Sequence, residues 1–373
     1  MIKKRIFILI DGDLTQFRIA HLQKIIELIK DLFIEIVLVY TSKSNILIKN
    51  KKINNIKIKE LYCNYKSPLY LKIFNKFMLE INRVKILLKY CNNSDFVLFI
   101  GIYQPLSLLI TRFIGAYPIH FCGGFDITFG SSFFNKLFLI VRWSIQIAIL
   151  NLSKKLILET PSVIKYFNIK RLIKKCILNG HLFVDLNNFY PEVKMFKRKY
   201  DIGYVGAFSK EKGIIQFINS IPYIISKRKV YIILVGNGNL NNFIKRFILI
   251  HKINNFVFLK DPVKYSTVPK ILNNIKLLVV PSFSEGLPNI VIEAMACGTV
   301  VLATPVGGIP DIIEDGKTGF LLNSIDPKYI ANKIIEIIDK PELLEKISKN
   351  AYEYIIKNFS IEKTIEIWHN FLK

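Results

Sequence analysis

The chain has 373 residues, of which 51% are hydrophobic and 22% are charged, and its formal net charge is +25. This composition excludes a disordered or fibrous protein, because such chains have too few apolar residues to form a packed core. At about 150 residues per domain, the length predicts two domains, each large enough to bury its own core.

The sequence favours a cytoplasmic protein without a leader or a membrane span. The first apolar run, Ile6–Ile10, is too short for a signal peptide and stops at Asp11-Gly12-Asp13. The longest apolar stretch, residues 133–150, is interrupted by polar and charged residues, whereas a span needs about 20 apolar residues. The cysteines show no C-x-x-C spacing, which argues against a disulfide framework and against a zinc site.

The positive charge is concentrated in the first half of the chain. Residues 1–200 contain 32 Lys and Arg against 12 Asp and Glu, a net charge of +20, whereas residues 201–373 contain 21 and 16, a net charge of +5. A basic region attracts nucleic acid, anionic lipid surfaces or phosphorylated substrates. The alternative is a general lysine bias of the composition, although a bias alone would charge both halves similarly.

Short β-branched runs alternate with segments long enough for helices. Several runs are apolar at every position, which is typical of strands covered on both faces of a parallel sheet. The sequence therefore predicts an α/β protein with two doubly wound sheets, joined near residues 187–200. The predicted strands span residues 5–10, 34–40, 96–100, 155–158, 202–205, 230–235, 277–280 and 300–303.

Residues 66–89 are predicted to form a basic amphipathic helix, because cations are interleaved with apolar residues along this segment. Each Lys or Arg near an anionic leaflet adds about 1 kcal/mol of binding energy, so we expect peripheral association with the inner face of the cell membrane. The alternative is a core-packed helix with a lysine-rich solvent face. The cations concerned are Lys72, Lys76, Arg83, Lys85 and Lys89.

Two glycine-containing turns follow predicted strands of the second half. The first runs from Gly206 to Gly213 and includes Lys210 and Lys212, and the second contains Gly236 and Gly238. A strand, a glycine turn and a helix N-terminus present free N–H groups and a positive dipole end, which suit phosphate. Ordinary strand-end turns are the alternative, since glycine is common there.

Residues 279–298 are the most informative segment. Pro288 at the first helical position and Gly298 after the last one predict a helix over Asn289–Cys297. Glu293 lies on the face of this helix that is next to the loop carrying Glu285, so two carboxylates meet at the carboxyl end of a parallel sheet, where such sheets bind ligands. A carboxylate accepts hydrogen bonds from two sugar hydroxyls. Alternatively, Glu285 caps the helix and Glu293 is a solvated surface residue.

The run from Glu285 to Glu293 resembles the E-x7-E motif of retaining glycosyltransferases of the GT-B fold, the group 1 family, also called family 4. The resemblance includes the two glycine turns and several further ordered motifs, and it covers about the last half of the chain. It implies two Rossmann-like doubly wound domains facing an interdomain cleft. The further motifs lie at residues 179–180, 184–185, 294–298, 303–310, 315–319 and 359–363.

The resemblance also implies a domain organisation and residue roles. Residues 1–190 would bind the acceptor, with a helix over 359–373 crossing back, and residues 195–358 would bind a nucleotide-sugar. As catalytic residues, Lys212 would neutralise the diphosphate leaving group and Glu285 would contact the donor sugar, while Glu293 would hold the ribose. The nucleotide-sugar is a substrate, and neither a metal nor another cofactor is implied. The implied donor-binding residues are Gly206, Lys210, Lys212, Gly236, Gly238, Glu285, Gly286, Leu287, Pro288, Asn289 and Glu293.

The chain departs from the family pattern at two places. The arginine that often follows the first glycine is Ala207 here, and the usual H-G-x-D pattern reads Gly123-Gly124-Phe125-Asp126. His120 would need a local bulge to replace the missing histidine. The acceptor or sugar candidates in the first half are therefore Gly12, His120 and Asp126, and Asp11-Gly12-Asp13 is interpreted as the first turn of the acceptor domain rather than as a metal-binding D-x-D.

The function predicted from the sequence is a hexosyltransferase that moves a sugar, with retention of anomeric configuration, to a lipid-linked or polysaccharide acceptor such as lipopolysaccharide. One alternative is a GT-B-like nucleotide-sugar epimerase, which would use the same donor pocket. The other is a non-enzymatic basic α/β binding protein. Nucleic acid is not expected as a partner, because the sequence contains no RNA- or DNA-binding motif.

Overall fold

The computed structural model describes residues 2–13, 28–42, 56–62, 69–101, 104–122, 147–158, 160–162, 169–178 and 182–372, with a few single residues between them. The chain forms two compact units. The N-terminal unit comprises residues 1–159, 164–181 and 365–373, and the C-terminal unit comprises residues 160–163 and 182–364.

The N-terminal unit is built on a seven-stranded sheet with the order β3-β2-β1-β4-β5-β6-β7. All of its strand pairs are parallel. Helices α1 (Leu69–Tyr90) and α2 (Pro105–Ile114) belong to this unit. Its strands are β1 (Ile2–Asp13), β2 (Phe33–Ser42), β3 (Ile56–Tyr62), β4 (Phe96–Ile100), β5 (Tyr117–Cys122), β6 (Lys155–Leu158) and β7 (Cys176–Leu178).

The C-terminal unit is built on a six-stranded parallel sheet with the order β10-β9-β8-β11-β12-β13. Its strands are β8 (Tyr200–Val205), β9 (Ile232–Val235), β10 (Val257–Lys260), β11 (Ile275–Val280), β12 (Val300–Ala303) and β13 (Phe320–Leu321). Its helices are α3 (Ile214–Lys227), α4 (Asn241–Ile250), α5 (Val268–Leu272), α6 (Asn289–Ala296), α7 (Pro327–Ile338) and α8 (Pro341–Phe359), and α9 (Ile361–Leu372) then leads into the N-terminal unit.

Alternate residues of β11 face opposite helical layers. Leu277 and Val279 belong to a buried core with residues of α3, α4 and α7, while Leu278 and Val280 belong to a second core with residues of α5, α6 and α8. Strands that are covered on both faces read as continuous apolar runs. The prediction of doubly wound α/β architecture is therefore confirmed.

All eight predicted strands are present, but the sequence reasoning missed β3, β5, β7, β10 and β13. β7 and β13 are short, and β3 and β10 lie at sheet edges, where one side of the strand needs no neighbour. β5 was missed because Pro118 and His120 interrupt its apolar pattern, although it lies between β4 and β6. Edge position and non-local pairing are properties of the assembled sheet.

The segment Asp11-Gly12-Asp13 was predicted as a turn after the first strand, and this prediction is wrong. β1 continues to Asp13, which pairs with Thr41 after a register shift that begins at Leu9. The strand extends past Leu9 because its neighbour β2 continues to Ser42 and supplies a partner, Thr41, for Asp13. Among the described residues, no helix combines the length and the apolar character needed to cross a membrane.

Candidate active site

The candidate site lies where the strand order of the C-terminal sheet reverses, between β8 and β11. The loops that follow these two strands run to opposite faces of the sheet, which leaves a crevice at the carboxyl ends. The loop after β8 contains the predicted Lys210 and Lys212, and the loop after β11 contains Glu285. The topology therefore brings together two motifs that are about 70 residues apart in the sequence.

Gly213 closes the first loop against the second. It has a φ of +65° at the N-cap of α3, and a Cβ atom at this position would collide with the carbonyl oxygen of Pro281. The Phe283 N–H donates to the Glu211 carbonyl oxygen at 2.9 Å, which joins the same two loops. Glycine is needed here because both the left-handed backbone and the close approach exclude a side chain.

The two glycine turns also contact each other. A Cβ atom on Gly236 would collide with the carbonyl oxygen of Gly206, and one on Gly238 would collide with that of Phe208. The Phe208 N–H donates to the Asn237 carbonyl oxygen at 2.9 Å, and Gly206 donates to Val235 at 3.0 Å. The glycines therefore allow the loops after β8 and β9 to pack backbone against backbone beside the crevice.

Lys212 and Glu285 form an ion pair. The Lys212 Nζ lies 2.7 Å from both carboxylate oxygens of Glu285. The lysine side chain is 37% exposed and the glutamate side chain is 9% exposed, so the charged pair is accessible from the lysine side. Because the cation is already paired, an incoming phosphate has to compete with Glu285 for it. Lys210 is exposed on the same loop.

The alternative in which Glu285 caps α6 does not hold, because its carboxylate is directed to Lys212. The N-cap residue of α6 is Pro288, which has no side-chain acceptor to offer. The predicted start of this helix at Asn289 is confirmed, and its predicted end at Cys297 is corrected to Ala296. Helix ends shift in this way because the terminal residues are bonded on one side only.

The loop before α6 packs against the backbone of Gly307 and Gly308. The carbonyl oxygen of Gly286 accepts a hydrogen bond from the Gly308 N–H at 2.6 Å, and a Cβ atom on Gly307 would collide with the Glu285 carbonyl oxygen. Leu287 is buried and anchors the loop in the core next to α6. This anchoring fixes the first-turn N–H groups of α6, which form the positive end of the helix.

Glu293 is the buried carboxylate of the site. It lies in the second turn of α6 and is 5% exposed, so the alternative of a solvated surface residue is excluded. The hydroxyl of Tyr265 donates a hydrogen bond to its Oε1 at 2.8 Å. Burial and the neighbouring Glu293 carboxylate raise the pKa of Tyr265, which keeps this hydroxyl protonated as the donor. Sequence reasoning missed Tyr265, since a lone tyrosine in the loop after β10 belongs to no motif.

The candidates of the N-terminal unit are not brought into a described site. Gly12 lies in β1, and Asp126 and the glycine run at 123–124 lie outside the described residues, as does the motif at 179–180. His120 lies in β5, whose pairing with β4 continues through it without the bulge that the prediction required. It stacks on Phe99 and is 2% exposed, and burial lowers its pKa to about 4, so it is a neutral core residue.

Arg83 was predicted among the exposed cations of the basic helix, and this prediction is wrong. The side chain is 1% exposed and donates to Glu80 at 3.0 Å and to the Ile10 carbonyl oxygen at 2.8 Å. Glu80 in turn accepts the N–H groups of Leu106 and Ser107 at 3.1 Å, which caps the N-terminus of α2. Arg83 is turned inward because the buried Glu80 carboxylate needs a cation.

Within the described part of the chain, no group of three or more His, Cys, Asp or Glu side chains has an arrangement that could hold a metal ion. Cys91, Cys176 and Cys297 are free thiols.

The strand order, the two α/β units and the crevice between the β8 and β11 loops define the class: this is the GT-B fold of two-domain glycosyltransferases. The structure superposes on Anabaena HepE, solved in complex with UDP, with a TM-score of 0.76 and 15% identity over 99% of both chains. A glycosyltransferase from Rickettsia africae gives a TM-score of 0.73 and 20% identity over 100% of this chain and 99% of the other.

Sequence comparison shows what the C-terminal half of the chain is similar to. Residues 188–354 match the family model described as glycosyl transferases group 1. An uncharacterised glycosyltransferase of Methanocaldococcus jannaschii is 32% identical over 50% of this chain and 52% of its own length. The capsular polysaccharide biosynthesis glycosyltransferase CapM of Staphylococcus aureus is 32% identical over 48% of each chain. The matched region therefore spans about half the length of these curated relatives.

Proposed function

We propose that the protein transfers a hexosyl group from a nucleotide-sugar to an acceptor with retention of anomeric configuration. The observation that carries the proposal is the pairing of an accessible Lys212–Glu285 ion pair with the buried Glu293, at the switch point of a unit that matches the group 1 family. A cation, a buried carboxylate and a helix N-terminus suit a diphosphate joined to two polyhydroxylated rings.

In this proposal each side chain of the site has a distinct task. Glu293 accepts the ribose hydroxyls, and the ammonium of Lys212 neutralises the diphosphate. The negative charge on the diphosphate grows as the glycosidic bond breaks, so the contact with Lys212 strengthens in the transition state and lowers the barrier. Release of Glu285 from Lys212 by the incoming phosphate would free its carboxylate to contact the donor sugar, which links donor binding to assembly of the site.

A screen of nucleotide-sugars tests the donor half of this proposal. UDP-sugars come first, because HepE was solved with UDP and with UDP-glucose. We expect one nucleotide class to raise the thermal unfolding temperature, and the Glu293→Ala variant to lose that rise. If no nucleotide-sugar stabilises the protein, the donor assignment is wrong.

Detection of a second product separates the proposal from its alternatives. A transferase releases nucleoside diphosphate and attaches the sugar to an added acceptor, whereas an epimerase only isomerises the donor. Anomeric configuration of the product tests retention directly. A basic binding protein without activity would show neither reaction.

For the acceptor we propose a polysaccharide or a lipid-linked glycan. The support comes from relatives of the C-terminal half that are named as a capsular polysaccharide biosynthesis glycosyltransferase and as a poly(ribitol-phosphate) alpha-N-acetylglucosaminyltransferase. Acceptors of this kind, including lipopolysaccharide precursors, are tested with nucleotide-sugar labelled in the sugar. Label recovered only as free sugar would contradict an acceptor of this class.

We further propose that the N-terminal unit binds the anionic inner face of the cell membrane. The solvent side of α1 carries exposed apolar residues between exposed lysines, and on α2 Phe113 is 84% exposed with Leu109 one turn before it. Both helices pack on one core under the sheet, so their outer sides face away from it. Among the residues of α1 whose burial is described, the exposed ones are Lys76, Phe77, Met78, Lys85, Leu88, Lys89 and Tyr90.

Sedimentation with vesicles of phosphatidylglycerol and phosphatidylcholine tests the membrane proposal. Three lysines contribute about 1 kcal/mol each, so binding should be strong at low salt and weak at high salt. Lys85→Glu and Phe113→Ser should each weaken it. Lys349→Glu, which makes the same charge change on the exposed side of α8 in the C-terminal unit, is the matched control. Absence of binding at low salt would contradict the proposal.

We also propose that transfer needs no metal ion, because the cation for the diphosphate is supplied by Lys212. Activity should then survive treatment with EDTA. Complete loss, restored by a divalent cation, would instead support a metal role for Asp11 and Asp13.

A further inference from the structure

Tyr265 is a second residue at the proposed ribose site, and it comes from a part of the chain outside the E-x7-E motif. It begins a short 3₁₀-helix, Tyr265–Thr267, in the connection between β10 and α5. Its hydroxyl lies 2.8 Å from the Glu293 Oε1, and its ring packs against the buried Phe189 with centroids 5.5 Å apart. The ring contact fixes the direction of the hydroxyl.

Glu293 needs such a partner because of its surroundings. Its neighbours in α6 from Val291 to Ala296 are buried and, apart from Glu293 itself, apolar. Two other titratable groups of the described residues interact with the Tyr265–Glu293 pair, the Asp185 carboxyl group and the Cys297 thiol. A carboxylate in apolar surroundings becomes protonated unless hydrogen bonds stabilise its charged form. A protonated carboxyl group would use one oxygen as a donor and accept fewer hydroxyls. The tyrosine hydroxyl occupies one of about four lone-pair positions of the carboxylate and leaves its charge in place.

We propose that Tyr265 is a positioning residue that keeps Glu293 ionised and oriented so that it accepts the two ribose hydroxyls of the donor. The proposal rests on the proposed function, since it presupposes that Glu293 binds ribose. It adds a specificity role: the hydrogen bond from Tyr265 contributes to affinity only when the ligand has the hydroxyls that Glu293 accepts. Tyr265 should therefore contribute to the discrimination between ribonucleotides and deoxyribonucleotides.

The test compares Tyr265→Phe with the wild type in calorimetric binding of UDP, GDP and ADP and of their 2′-deoxy forms. The substitution keeps the ring on Phe189 and removes only the hydroxyl, so we expect an unchanged fold. For the nucleotide that binds the wild type most tightly, affinity should fall about five- to tenfold. This is less than the full worth of a hydrogen bond to a charged group, because the bond from Tyr265 to Glu293 is already present without ligand. Affinity for its 2′-deoxy form should fall by a smaller factor, because that form offers Glu293 only the 3′-hydroxyl.

A pH series gives a second readout that a purely structural role would not produce. Loss of a hydrogen bond to the charged form raises the pKa of a carboxyl group. In Tyr265→Phe, ribonucleotide binding should therefore be lost at a higher pH on acidification than in the wild type. Tyr231→Phe is the matched control, because Tyr231 packs on Phe258 next to the amino end of β9. The candidate site lies at the carboxyl ends of the strands.

The outcomes separate this inference from the proposed function. Equal losses for the ribonucleotide and the deoxyribonucleotide, or no loss at all, overturn the role of Tyr265. If Glu293→Ala abolishes binding while Tyr265→Phe does not, the inference fails and the donor site stands. If the wild type binds none of the nucleotides, or Glu293→Ala binds them as well as the wild type, the proposed function fails and the inference fails with it.

Discussion

The two units share the order of their first six strands, and they differ in what lies at the carboxyl ends of these strands. In both sheets the third strand of the unit lies at one end and the first strand pairs with the fourth, so β1 and β4 correspond to β8 and β11. The helix after the fourth strand is α2 in one unit and α6 in the other. At the N-terminus of α2, the Glu80 carboxylate accepts the N–H groups of Leu106 and Ser107. At the N-terminus of α6 stands Pro288, which has no side-chain acceptor.

The charged pairs of the two units also differ in their accessibility. Glu80 and Arg83 are both buried, and they form hydrogen bonds with backbone groups of α2 and β1. Their role is therefore structural. Lys212 and Glu285 bind each other, and the lysine is accessible. In both units the topology brings the N-terminus of a helix to the carboxyl ends of the first and fourth strands. Side chains decide whether the protein's own carboxylate occupies it or a ligand can reach it.

The largest expected effect is in the C-terminal unit. Glu293→Ala should remove most nucleotide-sugar affinity, because each hydrogen bond to the carboxylate is worth about 1.5–3 kcal/mol and two are lost. Calorimetry measures the affinity, and an unchanged unfolding temperature without ligand verifies that the fold is intact. If the variant binds the donor as well as the wild type does, Glu293 is not the residue of the C-terminal unit that binds the nucleotide-sugar.

Arg83→Ala tests the structural role of the pair in the N-terminal unit. Removal of one partner leaves the buried Glu80 carboxylate without its cation, which should lower the free energy of unfolding by about 3–5 kcal/mol. Urea unfolding measures the loss, and donor binding should be retained. The double variant Glu80→Gln with Arg83→Met should recover part of the stability. If Arg83→Ala is as stable as the wild type, the Glu80–Arg83 pair does not stabilise the N-terminal unit.

Lys212→Ala should lower kcat by about 10²–10³ and affect ground-state binding less, because leaving-group charge is greatest in the transition state. Steady-state kinetics with saturating acceptor measures both parameters. Lys210→Ala, a change on the exposed part of the same loop, is the control and should have a much smaller effect. A rise in KM with unchanged kcat would make Lys212 a binding residue only.

The smallest effect at neutral pH is expected for His120→Leu. Burial holds the pKa of His120 at about 4, below its unfolded value of about 6.5. Between these values the unfolded chain binds a proton that the folded chain does not, so stability is present above pH 6.5 and decreases as the pH falls towards 4. The variant should reduce this acid sensitivity, measured by urea unfolding at pH 7 and pH 5. Loss of activity with an intact fold would instead make His120 catalytic.

Local sequence was sufficient for the features that depend on neighbouring residues. The continuous apolar runs predicted eight strands, and the flanking Pro288 and Gly298 located α6 to within one residue at its C-terminal end. The spacing of Glu285 and Glu293 indicated one site for both. These signals are local because strand burial and helix capping act over a few residues.

Other features were decided only by tertiary packing. Arg83 fits the pattern of an exposed amphipathic cation as well as Lys85 does. Only the packing of α1 against β1 and α2 turns it inward, because Arg83 donates to the Ile10 carbonyl oxygen of β1 and its partner Glu80 accepts N–H groups of α2. β5 became a central strand despite Pro118, because β4 and β6 lie on either side of it. A sequence pattern predicts the side of a helix on which a residue lies. It does not predict which groups of the neighbouring strand or helix contact that residue.

The sequence by itself determined the α/β class, the doubly wound sheets and the segment around Glu293. Only the tertiary structure decided that Lys212 pairs with Glu285 and that Tyr265 holds Glu293. Both contacts join residues that are far apart in the chain, and they exist because parallel strands deliver distant loops to one edge of a sheet. Periodicity and spacing report on a residue's own element, whereas the chemistry of this site depends on contacts between elements.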